Sequence, residues 1–600
     1  MFTEKIMSIG WVSAIPAILP HSLRADRSRR CLRSRVVSRL DVQVVPTVPI
    51  AGQKTGTSGL RKQTSVLVEE PKFVCNWIQS LFDCLGDELR GKTLILGGDG
   101  RYYNKIAAQT VIRMAAANAV ARVIVGKDCV MSTPAVSACI IQRKAFGGII
   151  MTASHNPGGI NGDWGVKYNT KSGSPATEVL LDRVYERTLN IDQYRTLDLP
   201  SDVDTSSLGE TSFDGGNFVV EVISSTDDHA NVLRGCFDFN KLKSFIARED
   251  FSLCYDGMNA AGGLCADAVL VGELGAAQAT VINSLPLEDF GGGHPDPNLT
   301  YAKELLEIMD PSQNPSAPDL GAASDGDGDR NMILGKGFFV TPSDSLAVIA
   351  DYAERAIPFF KDGVRGLARS MPTSGAVDRV AAARGLNLYE TPTGWKYFGN
   401  LMDAGMLSIC GEESFGIGSN HIREKDGLWA VLAWLSILAY RNEGTPTGEL
   451  VGVEQIVREH WAKYGRNLYL RYDYENVESE GAESMMDYLT SLEENPPTEL
   501  PGGFVIKSLD EFSYVDPVDK SKAEKQGIRV LFENGSRLVV RLSGTGSAGA
   551  TIRIYLEYYE TDQDRQSVET TSAMQPLVDV ALLLTKVGEF SGRDGPTVIT

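Results

Sequence analysis

Three stretches of this chain follow one plan: an apolar strand, a polar glycine-bearing turn, a helical pattern and a second apolar strand. They run from Thr93-Leu-Ile-Leu-Gly-Gly-Asp-Gly-Arg101 to Val123-Ile-Val125, from Ser252-Leu-Cys-Tyr-Asp-Gly-Met-Asn259 to Ala279-Thr-Val-Ile282, and from Gly363-Val-Arg-Gly-Leu-Ala-Arg-Ser-Met371 to Leu386-Asn-Leu-Tyr389. Each spans about 30 residues, the size of a β-α-β unit, in which a helical crossover joins parallel strands. Its recurrence predicts an internal triplication of α/β domains. A chain of 600 residues also exceeds what one hydrophobic core holds, so several domains are required.

Beyond these units, Ile528 to Leu542 and Thr551 to Tyr558 alternate apolar and polar residues, as half-buried antiparallel strands do. They predict a separate C-terminal α+β domain. Tyr472 to Glu499, rich in Asp, Glu and Ser and followed by Leu500-Pro-Gly-Gly503, reads as a mobile approach to it. The expected division is an extension over 1–50, α/β domains over 51–228, 229–340 and 341–457, and a fourth domain over 458–600.

Charge is unevenly shared. Residues 1–50 hold seven Arg and one Lys against Glu4, Asp26 and Asp41, so the remainder is even more acidic than the chain's net charge of −19. An acidic body argues against nucleic acid, which demands a basic stripe. The apolar run Ile6–Leu19 followed by an Arg/Ser-rich tail suits a targeting segment, with a plastid or other organelle as destination; a disordered basic extension on a cytoplasmic protein is the alternative. No run of about 18 uncharged apolar residues predicts a membrane span. The nine cysteines include no C-x-x-C pair and, being odd in number, form no complete disulfide framework.

Chemistry concentrates in a few loops. Thr152-Ala-Ser-His-Asn-Pro-Gly-Gly159 follows the apolar run Phe146–Met151, which mounts the hydroxyl of Ser154 at a strand end beside His155. Lys167 sits on the next predicted strand, where partial desolvation shifts a lysine toward proton exchange with sugar hydroxyls. Asp325-Gly-Asp-Gly-Asp-Arg330 sets three carboxylates on alternate positions with a fixed cation behind them. Hard oxygen donors favour Mg²⁺ or Ca²⁺. An EF-hand is excluded, because its sixth position is Arg330 and its twelfth Lys336. Serine, metal cage and arginine together are the components for moving a phosphoryl group.

Two pattern matches fail on context. Gly86-Asp-Glu-Leu-Arg-Gly-Lys-Thr93 fits a Walker A expression but runs from helix to strand, the reverse of a phosphate-cradling loop. Gly544-Thr-Gly-Ser-Ala-Gly549 fits G-x-G-x-x-G but precedes a strand, where a dinucleotide site needs a helix. Arg541-Leu-Ser-Gly-Thr-Gly-Ser547 with Arg553 nevertheless brings two guanidinium groups, hydroxyls and close-approach amides to one loop, which suits a phosphate. Gly411-Glu-Glu-Ser-Phe-Gly416 and Thr391-Pro-Thr-Gly-Trp395 offer side chains that grip sugar hydroxyls.

Five of these motifs, Gly56-Thr-Ser-Gly-Leu-Arg61, Thr152–Pro157, Asp325–Arg330, Gly411–Gly416 and Arg541-Leu-Ser-Gly-Thr545, stand in an order that resembles the eukaryotic phosphoglucomutases of the α-D-phosphohexomutase superfamily. The likeness runs from about Gln53 to Thr600. It implies a heart-shaped α/β architecture of four domains, three similar mixed α/β domains and a C-terminal α+β domain that closes over the cleft. It also implies Ser154 as the phosphate carrier, Asp325, Asp327 and Asp329 as ligands of one Mg²⁺ per subunit, and Lys167 as general acid/base with His155 in support. Arg61 and Arg330 match cations beside the transferring phosphate; Thr393, Glu412 and Ser414 match sugar-recognition positions. Lys425, Arg541, Ser543, Thr545 and Arg553 match the site for the phosphate that is not reacting. The departures are the N-terminal extension and Gly292, where the family has histidine in Phe290-Gly-Gly-Gly-His294.

The implied reaction interconverts glucose 1-phosphate and glucose 6-phosphate, with glucose 1,6-bisphosphate as intermediate and activator. Alternatives are a phosphomannomutase or other phosphohexomutase, or a parafusin-like phosphoprotein with a role in regulated secretion. A hydrolase using Ser154 is the other enzymatic class, but its two-zinc form needs several histidine ligands, and the six present are dispersed at 21, 155, 229, 294, 421 and 460. Sugar phosphates are the expected partners, and a monomer or weak dimer the expected state.

Overall fold

The computed structural model describes residues 35–37, 41–56, 59–199, 201–546 and 549–600, with only the backbone at 35–37 and 544–546. Residues 1–34, which hold most of the expected targeting segment, lie outside it.

Each predicted β-α-β unit is present, and each extends in the same way. Thr93–Gly98 pairs in parallel with Arg122–Gly126 across the helix Asn104–Ala117, and on its other side in parallel with Gly147–Met151. Gly147–Met151 then pairs antiparallel with Asp163–Thr170. In the second unit Leu253–Asp256 lies between Val281–Ile282 and Leu320–Ala323, both parallel, and Met332–Gly335 runs antiparallel to the latter. In the third, Gly366–Ser370 lies between Asn387–Thr391 and Ile409–Gly411, with Ile417–Ser419 antiparallel beyond. The turn joining the third and fourth strands therefore occupies one equivalent place three times. Those turns carry Ser154, Asp325–Asp329 and Glu412–Ser414.

The elements form for readable reasons. The helix Lys72–Leu85 buries Phe73, Val74, Trp77, Ile78, Leu81 and Phe82 on one face, the i, i+3, i+4 stripe of an amphipathic helix. The helix Gly427–Arg441 is apolar all round, because it lies in the core shared by the second and third domains. The Trp434 indole on this helix donates to Ser345 Oγ at 2.8 Å. That core is continuous: Val136 and Ile140 of the first domain pack in the same cluster as Leu233, Leu270, Val348 and Trp429.

The last domain is an antiparallel sheet ordered Ile506–Glu511, Ile528–Phe532, Arg537–Gly546, Gly549–Glu560, Arg466–Val477, Val598–Ile599. One face packs on the helices Ser479–Ser491 and Thr570–Thr585; the other meets the third domain through Met371. Three sequence expectations need correction here. Tyr472–Val477 is no linker but half of a 12-residue strand, whose alternation is masked by charged residues at Arg471, Asp473 and Glu475. The boundary expected at 457/458 cuts the helix Val453–Tyr464, whose Ile456, Val457 and Trp461 belong to the core of the preceding domains. Val42–Pro46, inside the expected extension, pairs antiparallel with Gln193–Leu197, and Thr47 Oγ1 bonds Asn76 Oδ1 at 2.9 Å. The rejected glycine patterns are a helix-to-strand turn at Gly86–Leu89 and a hairpin between two strands.

Candidate active site

Ser154 is buried at the end of the strand Gly147–Met151, with a backbone φ of +54°, a left-handed conformation that costs a non-glycine residue about 1–3 kcal/mol. The surroundings hold it there. Thr152 Oγ1 accepts from the Ser154 amide at 2.7 Å and donates to Asp99 Oδ2 at 2.6 Å. Arg101, fully enclosed, binds Asp99 Oδ2 through Nε at 2.8 Å, the Ser154 carbonyl through Nη2 at 2.8 Å and the Asp163 carbonyl through Nη1 at 2.6 Å. One guanidinium thus pins both ends of the loop, which only its planar fork of donors permits.

The serine hydroxyl donates to Asp325 Oδ2 at 2.9 Å and lies 3.3 Å from His155 Nδ1. A residue in the first domain and one 171 positions later are therefore in direct contact. Gly326 makes this approach possible: a Cβ on it would stand 2.4 Å from the Ser154 carbonyl oxygen. Three helix N-termini grip the same loop, with the amides of Thr133, Ala261 and Gly427 donating to the carbonyls of Asp327, Gly326 and Gly328. N–H groups left free at helix starts suit a loop of negative charge.

Asp325, Asp327 and Asp329 are buried and bring one carboxylate oxygen each within 4.8 Å of one another. Asp327 Oδ2 accepts from Thr133 Oγ1 at 2.6 Å and Lys167 Nζ at 3.1 Å, whereas its Oδ1 is buried without a hydrogen bond. A buried carboxylate oxygen with no donor, among three hard oxygens, fits a divalent cation of the magnesium or calcium type. Burial and then Asp327 and Asp329 hold the Asp325 carboxyl well above the usual range. Burial acts the same way on Asp327, but the Lys167 ammonium and the Thr133 hydroxyl overcome it and leave that group below the range.

Cations ring the serine. Arg61 Nη1 meets Asn156 Oδ1 at 3.2 Å. Arg330 Nη1 lies 3.4 Å from Asp296 Oδ1, and its buried Nε makes no hydrogen bond. His155 stacks on His294 with 6.4 Å between ring centres. Burial, then Arg330 and Arg61, hold its pKa well below the ordinary value, so the imidazole is neutral.

Lys167 departs from expectation. Burial alone would lower its pKa, but Asp327, Glu424 and Asp329 outweigh burial and raise it. The Lys425 ammonium is 3.2 Å from Asp329 Oδ1, beside the carboxylate triad. Its stem fills the space a side chain on Gly416 would need.

From the triad, contacts lead outward to the last domain. Asn331 N donates to the Phe415 carbonyl at 2.9 Å, tying the metal loop to the Glu412–Gly416 turn. Glu412 Oε1 accepts from Gly394 N at 3.0 Å, and burial raises the Glu412 pKa despite nearby Lys425. Ser414 is half-buried in the same turn. Thr393 Oγ1 accepts from Arg541 Nη1 at 2.7 Å. Arg541 faces Arg553 across the hairpin, with Ser543 two positions further on; the Thr545 side chain lies outside the described residues, as do Thr57 and Ser58. Sequence reading missed Asp99, Arg101, Thr133, Asp296 and Glu424. Asp99 and Arg101 left a signal, as parts of the first Gly-bearing turn.

Comparison with known proteins agrees with this geometry. Models of the phosphoglucomutase/phosphomannomutase alpha/beta/alpha domains I, II and III match residues 52–195, 228–337 and 341–464, and a phosphoglucomutase-1 C-terminal domain model matches 466–597. A chloroplastic phosphoglucomutase of Arabidopsis thaliana is 53% identical over 97% of this chain and 92% of its own length. A probable cytoplasmic phosphoglucomutase of the same plant is 53% identical over 93% and 99%. Among solved structures, the open form of the exocytosis-sensitive phosphoprotein pp63/parafusin, a phosphoglucomutase from Paramecium, superposes with a TM-score of 0.87 at 48% identity, over 94% of this chain and all of that one.

Proposed function

The chain belongs to the phosphoglucomutase/phosphomannomutase family, and on that premise we propose that it interconverts glucose 1-phosphate and glucose 6-phosphate through a phosphorylated Ser154. The observation that carries this reading is the 2.9 Å contact between Ser154 Oγ and Asp325 Oδ2, which sets a hydroxyl against a triad of hard oxygen donors.

Asp325, Asp327 and Asp329 are the residues that would hold one Mg²⁺, which supplies positive charge to the oxygens of a transferring phosphoryl group. Phosphoryl transfer passes through a loose, charge-dispersed state, so positioning and charge do most of the work. Arg61 and Arg330, whose Nε makes no hydrogen bond and lies 3.7 Å from Asp325 Oδ2, would receive those oxygens. In the transfer the P–O bond to Ser154 breaks as a bond to the sugar hydroxyl oxygen forms. The net proton movement is from that hydroxyl to the serine oxygen. Lys167, whose Nζ lies 3.1 Å from Asp327 Oδ2, is the proposed general acid/base relay. Neutral His155 orients the serine. The hexose 1,6-bisphosphate then turns, and its other phosphate returns to Ser154. Thr393, Glu412 and Ser414 hold the sugar, while Lys425, Arg541, Ser543, Thr545 and Arg553 hold the distal phosphate.

Ser154→Ala should abolish turnover with the fold intact; unchanged mutase activity in that variant would overturn the assignment. A glucose-against-mannose phosphate panel decides between this reading and phosphomannomutase. Relatives occur in both chloroplast and cytoplasm, and we read the basic segment that precedes Val42 as plastid-targeting, which import of a fluorescent fusion would test. Among the described residues no helix is long and apolar enough to cross a membrane.

A further inference from the structure

The face of the last sheet that meets the third domain is written on alternate residues of three neighbouring strands. Tyr469, Arg471 and Asp473 lie on one, Arg553 and Tyr555 on the next, Val539 and Arg541 on the third; Arg471 stands opposite Tyr555, Asp473 opposite Arg553, and Arg553 opposite Arg541. Val539 and Tyr555 pack with Met371 of the third domain, so this face looks into the junction where Arg541 reaches Thr393.

Two guanidinium groups thus meet one carboxylate, with the Arg541 guanidinium on the strand beyond. Asp473 is nearly enclosed; its Oδ1 lies 3.0 Å from Arg471 Nε, and its Oδ2 lies 3.5 Å from Arg553 Nε. These are ion pairs out of line. Arg471 Nε, Arg553 Nε, Asp473 Oδ1 and the Tyr555 hydroxyl are all buried without a hydrogen bond. Misaligned donors and acceptors held at contact distance keep their Coulomb attraction but leave their hydrogen bonds unspent, a costly arrangement for a purely structural pair. A tetrahedral dianion offers three oxygens to such donors where a carboxylate offers two.

We propose that Arg471 is a third guanidinium of the distal phosphate site and that Asp473 is its resident counter-ion, which holds Arg471 and Arg553 between substrates and competes with the bound phosphate. This rests on the function proposed above and adds to it a reason the site releases its ligand. A bisphosphate that must turn within each cycle cannot be gripped by three unopposed arginines. Asp473 lowers that grip without lowering the number of donors.

The test uses the full-length protein and compares wild type with Arg471→Ala, Arg471→Lys and Asp473→Asn. Inorganic phosphate binding is measured by calorimetry, and KM and kcat with glucose 1-phosphate. Arg471→Ala should weaken phosphate binding and raise KM, each on the order of tenfold, the value of one charge-assisted contact; Arg471→Lys should recover part of the loss. Asp473→Asn should tighten phosphate binding severalfold and lower KM and kcat together, and its effect should shrink in an Arg553→Ala background, where Asp473 has only Arg471 left to hold. Wild-type affinity and KM in both Arg471→Ala and Asp473→Asn, or weaker phosphate binding in Asp473→Asn, would overturn the proposal. Arg471→Lys, which keeps the charge and most of the volume, decides the matter if the alanine variant does not fold. A wild-type chain that bound phosphate with this pattern yet failed to interconvert hexose phosphates would sink the proposed function and leave the site standing.

Discussion

Gly326 and Ser154 come from different domains, and the Ser154 carbonyl oxygen occupies the space where any side chain on Gly326 would begin, 2.4 Å from its Cβ position. The hydroxyl nucleophile and the acidic triad share one site because residue 326 has no side chain. Gly326→Ala forces the two loops apart. Turnover should fall at least on the order of 100-fold, the cost of an ångström-scale misplacement, while the melting temperature drops only a few degrees. Steady-state kinetics beside a thermal melt checks this, and near-normal kcat in the variant would contradict it.

Arg101 holds the serine loop in its left-handed conformation. Arg101→Lys keeps a charge for Asp99 but loses the fork that reaches the carbonyls of Ser154 and Asp163. Its kcat should fall by about two orders of magnitude with a smaller loss of stability. Arg101→Ala leaves Asp99 buried and unpaired, and should cost about 3–5 kcal/mol of stability. Denaturant unfolding of the two variants separates the positioning role from the structural one.

Thr133 donates to Asp327 Oδ2 and orients that carboxylate. Thr133→Val removes the hydroxyl at nearly constant volume. The Mg²⁺ concentration for half-maximal activity should rise roughly 10–100-fold, as for other residues that orient a ligand from behind, with kcat at saturating metal much less affected. A metal titration of activity reads this directly.

Asp344, fully buried at the start of the helix Pro342–Ala356, is pushed up to about 6 by burial, against the nearby Trp461 indole and the hydrogen bond from Thr341. The folded chain therefore holds this proton more tightly than the unfolded chain. Its contribution is intact below about pH 4 and is lost as pH rises through 6, at a cost of roughly 3 kcal/mol above that window. Asp344→Asn still accepts from Thr341 and carries no charge. Its melting temperature should exceed wild type at pH 7, with the difference disappearing by pH 4; a constant difference across that range would show that Asp344 does not titrate there.

The triplication was legible in sequence because each strand-turn-helix-strand unit is local. So was the serine, whose motif stands directly after an apolar strand. Two things were not legible. Contacts such as Thr133 with Asp327 and Arg101 with Ser154 join residues 194 and 53 positions apart, and no local pattern marks them. Nor does spacing give a residue its electrostatic neighbours. Lys167 reads as a desolvated base on its strand, yet Asp327 and Asp329 face it from another domain and hold its proton. The end of the strand Arg466–Val477, from Tyr472 on, reads as an approach to the last domain because its charged positions, such as Asp473, face the junction with the third domain rather than a core.

The central claim is that Ser154 carries the phosphoryl group between the two ends of the sugar. Peptide mass mapping of the full-length protein, after incubation with Mg²⁺ and glucose 1,6-bisphosphate, tests it most directly. One phosphate on the peptide containing Ser154, removed on addition of glucose 1-phosphate or glucose 6-phosphate, is the predicted result. Turnover of hexose phosphates by protein whose Ser154 peptide never gains a phosphate would contradict the account.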